Sequence, residues 1–162
     1  MPPKAQQPQN RAQQQQKNPV AAGRPVTITA VVDPVAALAA WDLTGSVYMY
    51  DTNRTEGSTG FGTEELRTKV RQGERLLWNV IPLECETFVA IYGIDIDERF
   101  CEPRMQTYPG TDITFWTATV KQDITEPVRY RLQFLLGTVT KPFATEAYQA
   151  LVDRGAPGAK EQ

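Results

Sequence analysis

The sequence predicts an all-β protein, an antiparallel β-sandwich of the jelly-roll type with one or two short helices. Six or so segments alternate apolar and polar residues with the period of two that a half-buried strand requires. Gly, Pro and Asp residues separate these segments at short intervals, which is typical of a sandwich or a barrel. The predicted helices are too few to cover both faces of a parallel sheet.

Length and composition indicate one folded domain between two polar tails. The chain has 162 residues, enough for one domain with its own core. Residues 1–24 are rich in Gln and Pro, and we predict that they are disordered because they cannot bury enough apolar surface to offset their ordering entropy. This tail is interpreted as a solvated leader, with tethering or self-association as the alternative. We expect the β-sandwich over residues 25–155 and a second polar tail over residues 156–162.

The first part of the domain has the pattern strand, helix, strand. Residues 25–33 form a β-branched run. Asp33 and Pro34 then suit the N-cap and the first position of a short helix. Residues 45–51, GSVYMYD, alternate Val and Met with Tyr and predict a half-buried strand, which a long Gly-containing loop follows.

Residues 62–80, GTEELRTKVRQGERLLWNV, predict a β-hairpin. Residues 71–74, which include Gly73, supply its loop. The side chains predicted to share one face of the strand are Leu66, Thr68 and Val70 on the first arm and Leu76, Trp78 and Val80 on the second.

Three further strands and a helix complete the domain. The strands are predicted within residues 87–95, 111–120 and 128–139. Residues 145–155, TEAYQALVDRG, predict a short C-terminal helix that ends at Gly155.

The composition argues against an enzyme. The chain has no histidine, which excludes Ser-His-Asp and Cys-His catalysis and the usual zinc sites. We predict no enzymatic activity, no cofactor and no metal. The sequence lacks an apolar run of about 20 residues and a signal-peptide core, so a cytoplasmic protein with no membrane partner is expected. In that compartment Cys85 and Cys101 are expected as reduced thiols, with pairing as the alternative.

Three motifs resemble the AidA/PixA inclusion-body protein family. TAVVDPVAALAAW joins a β-branched strand to a helical turn, and GSVYMYD places paired aromatics around a methionine. GTEELRTKVRQGERLLWNVIPL combines a Gly-Thr start, an alternating strand, a turn and a tryptophan strand, and VAIYGI follows it. The resemblance covers roughly residues 25 to 137. It implies a jelly-roll-like β-sandwich that self-associates, without an established enzymatic activity.

Four aromatic residues are the candidate binding residues, for an interface or a ligand: Tyr48, Tyr50, Phe115 and Trp116. Phe115 and Trp116 are neighbours in a predicted strand, so their side chains must point to opposite faces and one of them faces away from the core. Aromatic residues are enriched in interfaces. Core packing is the competing interpretation for most of this set.

Two charged clusters are interpreted as solvent-facing. Residues 95–98, DIDE, contain three carboxylates that could hold Ca²⁺, but they lack the spacing of a calcium loop. Arg129 and Arg131, with Lys121, could form a basic stripe for RNA. The sequence pI of about 5.2 disfavours nucleic acid as a partner.

The predicted function is therefore self-association, as a dimer or larger assembly, through an exposed sheet face or edge. The alternative is a module that binds a small molecule or carbohydrate through its exposed aromatics. An enzyme ranks third, since it would need a carboxylate or tyrosine mechanism. The partners considered are thus the chain itself and a small ligand.

Overall fold

The computed structural model describes residues 23–155. The predicted disordered tail, apart from its last two residues, and the predicted C-terminal tail lie outside the described residues. Within them the chain forms ten strands, one α-helix and a 3-10 turn at Arg54–Glu56. The elements are β1 (Val26–Val32), α1 (Pro34–Ala40), β2 (Val47–Asp51), β3 (Arg67–Val70), β4 (Arg75–Pro82), β5 (Val89–Ile96), β6 (Arg104–Thr107), β7 (Thr114–Thr119), β8 (Val128–Leu136), β9 (Phe143–Ala144) and β10 (Gln149–Asp153).

The strands form two sheets that pack face to face, which confirms the predicted all-β sandwich. The first sheet has the order β2-β1-β4-β7-β6. The second has the order β3-β10-β8-β5, and β9 pairs with β8. Two strand pairs, β1 with β4 and β10 with β3, are parallel, so both sheets are mixed rather than purely antiparallel.

The core lies between the two sheets and follows the alternation in the sequence. Every second residue of β1 and β8 is buried. Trp78 of β4 meets Tyr130 of β8 edge to face, with ring centroids 6.1 Å apart. The Trp78 Nε1–H donates to Tyr130 Oη at 3.4 Å, so each of these two buried polar groups has a hydrogen-bond partner. Burial in this apolar setting raises the pKa of Tyr130.

Helix α1 begins and ends as its sequence indicates. The Asp33 side chain caps it by accepting the Ala36 N–H at 2.9 Å, and Pro34 occupies the first turn. Trp41 ends it in the left-handed conformation, with φ of +59°. Among residues 23–155, neither helical segment has the length and apolar character needed to cross a bilayer.

The predicted hairpin over residues 62–80 is wrong, because its two arms belong to different sheets. β3 pairs with β10, whereas β4 lies between β1 and β7 and has no free edge. Residues 71–74 therefore connect the sheets, and the Gly73 N–H donates to the Val120 carbonyl at 2.8 Å. The predicted faces are nevertheless found. The buried residues of this set are Leu66, Thr68, Val70, Leu76 and Trp78, and Val80 is half-buried.

The predicted C-terminal helix is also wrong, because β10 occupies part of that segment. It is the strand between β3 and β8, and its Ala150 pairs with Arg67 on one side and Arg129 on the other. Gln149 is fully buried and donates through Nε2 to the Glu64 carbonyl at 2.6 Å. A helix here would leave two strand edges unpaired inside the sheet, so the tertiary setting overrides the local preference.

Gly60 closes the long connection between β2 and β3. Its φ is +81°, and a Cβ at this position would lie 2.4 Å from the Glu65 carbonyl oxygen. Thr59 and Arg67 exchange two backbone hydrogen bonds, of 3.1 and 2.8 Å, which hold the connection against β3. The close approach of the two backbones therefore requires glycine at this position.

Candidate functional site

Tyr48, Tyr50 and Phe115 lie on the outer face of the first sheet. In β2 the two tyrosines alternate with the buried Val47 and Met49. Tyr50 is exposed and Tyr48 is half-buried. The strands β1 and β4 lie between β2 and β7, so two strands separate the tyrosines from Phe115 on this face. These residues therefore do not form one continuous platform.

Trp116 points to the opposite side, toward the second sheet. It pairs across the sheet with the buried Trp78. Its Nε1–H donates to the carbonyl of Ile91 at 3.0 Å, and Ile91 belongs to β5, the edge strand of the second sheet. Phe115, on the outer face, packs its ring against Tyr108 with centroids 4.4 Å apart. The outward member of the Phe115–Trp116 pair is therefore Phe115.

Beyond Trp116 the first sheet extends past the second. Contacts between the sheets place β8 opposite β4 and β5 opposite β7. β6 is the next strand of the first sheet, and the second sheet ends at β5. All four residues of β6 are exposed. We call residues 104–113, which comprise β6 and the turn that follows it, the β6 overhang.

The β6 overhang carries apolar side chains in water. Met105 pairs with Trp116 and so points to the core-facing side, yet it is 56% exposed because no strand of the second sheet covers it. Tyr108 and Ile113 of the same segment are also exposed. A single exposed apolar side chain is ordinary, but several on one short segment beside a free strand edge are consistent with an interaction surface.

The free edge of β6 differs from the other sheet edges in the described part of the chain. Thr63 bonds to Met49 and partly covers β2, and Thr59 bonds to Arg67 and partly covers β3. The register of β5 is interrupted after Ile91, as in a β-bulge. Covering segments and bulges are common protections against edge-to-edge pairing. In residues 23–155 no segment pairs with the outer edge of β6.

The acidic segment 95–98 is engaged in local contacts. The Arg99 Nε–H donates to both carboxylate oxygens of Asp97 at 3.0 Å, and this contact lowers the pKa of Asp97 to about 2. Asp95 stands opposite Arg131 in the sheet. Within the described ranges, no three carboxylate, thiol or imidazole side chains are grouped to hold a metal ion.

Glu64 is a carboxylate that the sequence reasoning did not single out. Partial burial raises its pKa, and the negative charges of Glu146 and Asp42 add to the effect. Its Oε2 accepts a long bond of 3.5 Å from the Ala147 N–H, whereas its buried Oε1 has no hydrogen-bond partner. A raised carboxyl pKa can mark a general acid, but the described residues offer it no histidine and no activated nucleophile.

The two cysteines are free and differ in environment. Cys85 is exposed and Cys101 is buried. Burial raises the pKa of Cys101 to about 11, although the nearby Lys121 charge opposes the shift. A thiol with a raised pKa is a poor nucleophile at neutral pH.

Lys121 does not join Arg129 and Arg131 in the basic stripe that was considered as an alternative. Its Nζ donates to the Glu98 carbonyl at 2.9 Å and pairs with the Glu102 carboxylate. The two arginines of the stripe, Arg129 and Arg131, lie on the outer face of the second sheet.

Arg67 and Lys69 lie on the same face as Arg129, and the sequence did not predict this proximity. β10 pairs with β3 in parallel and brings Arg67 and Lys69 onto the same outer face. The alternation of β3 already placed these residues opposite its core face, but the segment that joins β3 to β8 was predicted as a helix. The juxtaposition was therefore hidden.

Comparisons with known proteins agree with this fold. A family model described as Domain of unknown function (DUF8788) matches residues 24–141. Among solved structures, the crystal structure of the inclusion body protein PixA from Burkholderia cenocepacia J2315 matches with a TM-score of 0.58 and 14% sequence identity. The match covers 84% of this chain and 96% of that one, so the fold is PixA-like. Among curated proteins, none matches this chain in sequence.

Proposed function

The chain belongs to the family described as Domain of unknown function (DUF8788), and we propose that it is a non-enzymatic, cytoplasmic protein that works by self-association. The observation that carries the proposal is the β6 overhang, which combines a free strand edge with uncovered apolar side chains. The similar structure is titled an inclusion body protein, and we extend that kind of role to this chain.

In the proposed assembly, two copies meet through β6. The two strands run antiparallel about a twofold axis, so each copy offers the same surface to the other. Unpaired N–H and C=O groups of one edge bond to those of the other, which is the usual route of edge-to-edge association. The first sheets of the two copies then form one continuous sheet. The partner lies on the side where the second sheet leaves Met105 uncovered.

The contact buries Met105, which is exposed in the single chain, whereas the exposed Tyr108 and Ile113 lie beside the turn at its margin. Full burial of one such side chain contributes about 1.5–3 kcal/mol. Backbone bonding between two four-residue strands fixes the register. A stable dimer usually buries about 1,200–2,000 Å² in total, so the turn after β6 must take part together with the strand.

The test is absolute mass by light scattering on a sizing column, with the full chain over a wide concentration range. We expect a dimer or larger species for the unchanged chain. Met105→Glu places a charge in the contact and is expected to give a monomer. Val35→Glu is the matched control, because Val35 on α1 is 58% exposed and lies outside the overhang. It is expected to keep the mass of the unchanged chain.

Two results would overturn the proposal. One is a monomer for the unchanged chain at every concentration. The other is an assembly that survives Met105→Glu. A chain that starts at Arg24 distinguishes assembly through β6 from assembly through the N-terminal tail. If only this shortened chain is a monomer, the tail is responsible for the assembly.

A further inference from the structure

We propose that the outer face of the second sheet binds a small phosphorylated ligand of nucleotide size. The site is the groove beside Arg67, Arg129 and Tyr148, which Lys69 and Arg131 adjoin, and we call these five side chains the arginine face. It lies on a different sheet from the β6 overhang and does not depend on self-association.

The strand register brings the cations together. Ala150 of the central strand pairs with Arg67 on one side and with Arg129 on the other. Neighbouring strands are about 4.8 Å apart, so the two arginines start about 10 Å from each other across the sheet. Ala150 belongs to the outward-pointing row, yet it is only 3% exposed. It therefore forms a covered apolar floor between two guanidinium groups.

The charges of these groups are available to a ligand. In the part of the chain that the structure describes, Arg67, Lys69 and Arg129 make no ion pair and no side-chain hydrogen bond. Arg131 donates through one Nη to the Glu146 carbonyl at 3.1 Å, and its buried Nε–H has no acceptor. Asp95 stands opposite Arg131 in the sheet, so the unbalanced positive charge of this face lies on Arg67, Lys69 and Arg129. Planar guanidinium groups bind phosphate, as they bind carboxylate, through two parallel hydrogen bonds.

Tyr148 adds an aromatic surface to the cations. The Arg131 guanidinium carbon lies 4.1 Å from its ring centroid and that of Arg129 lies 5.9 Å away. This stacking fixes the positions of the two guanidinium groups before a ligand binds, because the quadrupole of the ring attracts a cation above its face. Tyr148 is still 47% exposed, so part of its ring remains open to a ligand. A nucleobase is the group that stacks on such a ring beside bound phosphate.

Two grooves adjoin on this face, and their acidic residues decide which of them suits phosphate. One, of about 540 Å³, contains Arg67, Arg129, Tyr148 and Ala150, with Glu65 as its one acidic residue. Ligand sites usually measure about 300–1,000 Å³, so a mononucleotide fits this groove. The other, of about 830 Å³, includes Arg67 and also Lys69. It carries three acidic residues, which repel phosphate: Glu56, Glu126 and Asp153.

The test is calorimetric titration of the full chain with three probes, namely adenosine monophosphate, inorganic phosphate and adenosine. We expect the nucleotide to bind more tightly than either half, with an affinity that falls as salt rises. The double variant Arg67→Gln, Arg129→Gln is expected to weaken nucleotide binding by about tenfold or more, because each charged hydrogen bond contributes substantially. Tyr148→Ala is expected to weaken the nucleotide but not phosphate.

Arg75→Gln is the matched control, because Arg75 is an exposed arginine on β4 of the first sheet that makes no ion pair within residues 23–155. It is expected to leave binding unchanged, and thermal melting checks that every variant folds. Equal weakening by Arg75→Gln would overturn the site in favour of general charge attraction. Nucleotide binding no tighter than that of adenosine would also overturn it. Met105→Glu separates the two proposals, since a monomer that binds the nucleotide normally supports this site alone.

Discussion

Replacement of Gly60 by alanine tests a close approach between two backbone segments. Gly60 has φ of +81°, and an added Cβ would meet the Glu65 carbonyl oxygen at 2.4 Å and the Leu66 Cα at 3.2 Å. These are backbone atoms, so no side chain can swing away to make room. Gly73 is the matched control, because its φ is +84° and an added Cβ would meet nothing within 4 Å.

The two substitutions share one cost and differ in another. Left-handed backbone costs a non-glycine residue about 1–2 kcal/mol, and this applies to both positions. At Gly60 the chain must also separate from residue 65. That movement disturbs the two backbone bonds between Thr59 and Arg67, each of which contributes about 0.5–1.5 kcal/mol. We expect Gly60→Ala to lower the free energy of unfolding by about 2–5 kcal/mol and Gly73→Ala by about 1–2 kcal/mol.

Urea unfolding followed by tryptophan fluorescence measures both values, with the fully buried Trp78 as the main reporter. Low protein concentration is needed, because association stabilises the folded state by mass action. If the two variants lose the same stability within about 0.5 kcal/mol, a margin that separates additive from coupled effects, the connection relaxes freely and the steric reasoning fails.

Two further predictions concern titratable groups. Cys85 is expected to react with a thiol reagent at pH 8 in the folded protein and Cys101 only after unfolding, since burial raises the pKa of Cys101 to about 11; equal reaction rates by mass spectrometry would contradict this. The Asp97 carboxyl should titrate near pH 2 by carbon NMR, and Arg99→Gln should raise the midpoint. Because the pKa of Asp97 is lower in the folded state than its usual value of about 3.9, its contribution to stability is present above that value and is lost as the pH falls toward 2.

The sequence predicts which side chains face the core better than which strands pair. In β8 the alternation of Val128, Tyr130 and Leu132 with arginines gives the buried face correctly. Such a pattern describes one strand and carries no information about its neighbour. Residues 71–74 suit a connection between two sheets as well as they suit a hairpin loop. Their sequence therefore does not indicate that β3 and β4 belong to different sheets.

The candidate site depends on the same missing information. The sequence identifies Trp116 as one of a pair on opposite faces, but the exposure of Met105 follows from the second sheet ending at β5. Likewise Arg67 and Arg129 are far apart in sequence, and only the strand between them brings them together. That strand was missed because Ala and Leu favour a helix locally, while pairing on both sides decides the outcome.

The central place of β10 sets the order in which the protein can be completed during synthesis. Its partner β3 lies more than 80 residues earlier in the chain. A nascent chain must therefore hold β3 and β8 without their shared neighbour until residues 149–153 have left the ribosome. Such distant pairing raises the contact order and slows folding. The matched family region ends at residue 141, whereas the strand that joins β3 to β8 ends only at Asp153.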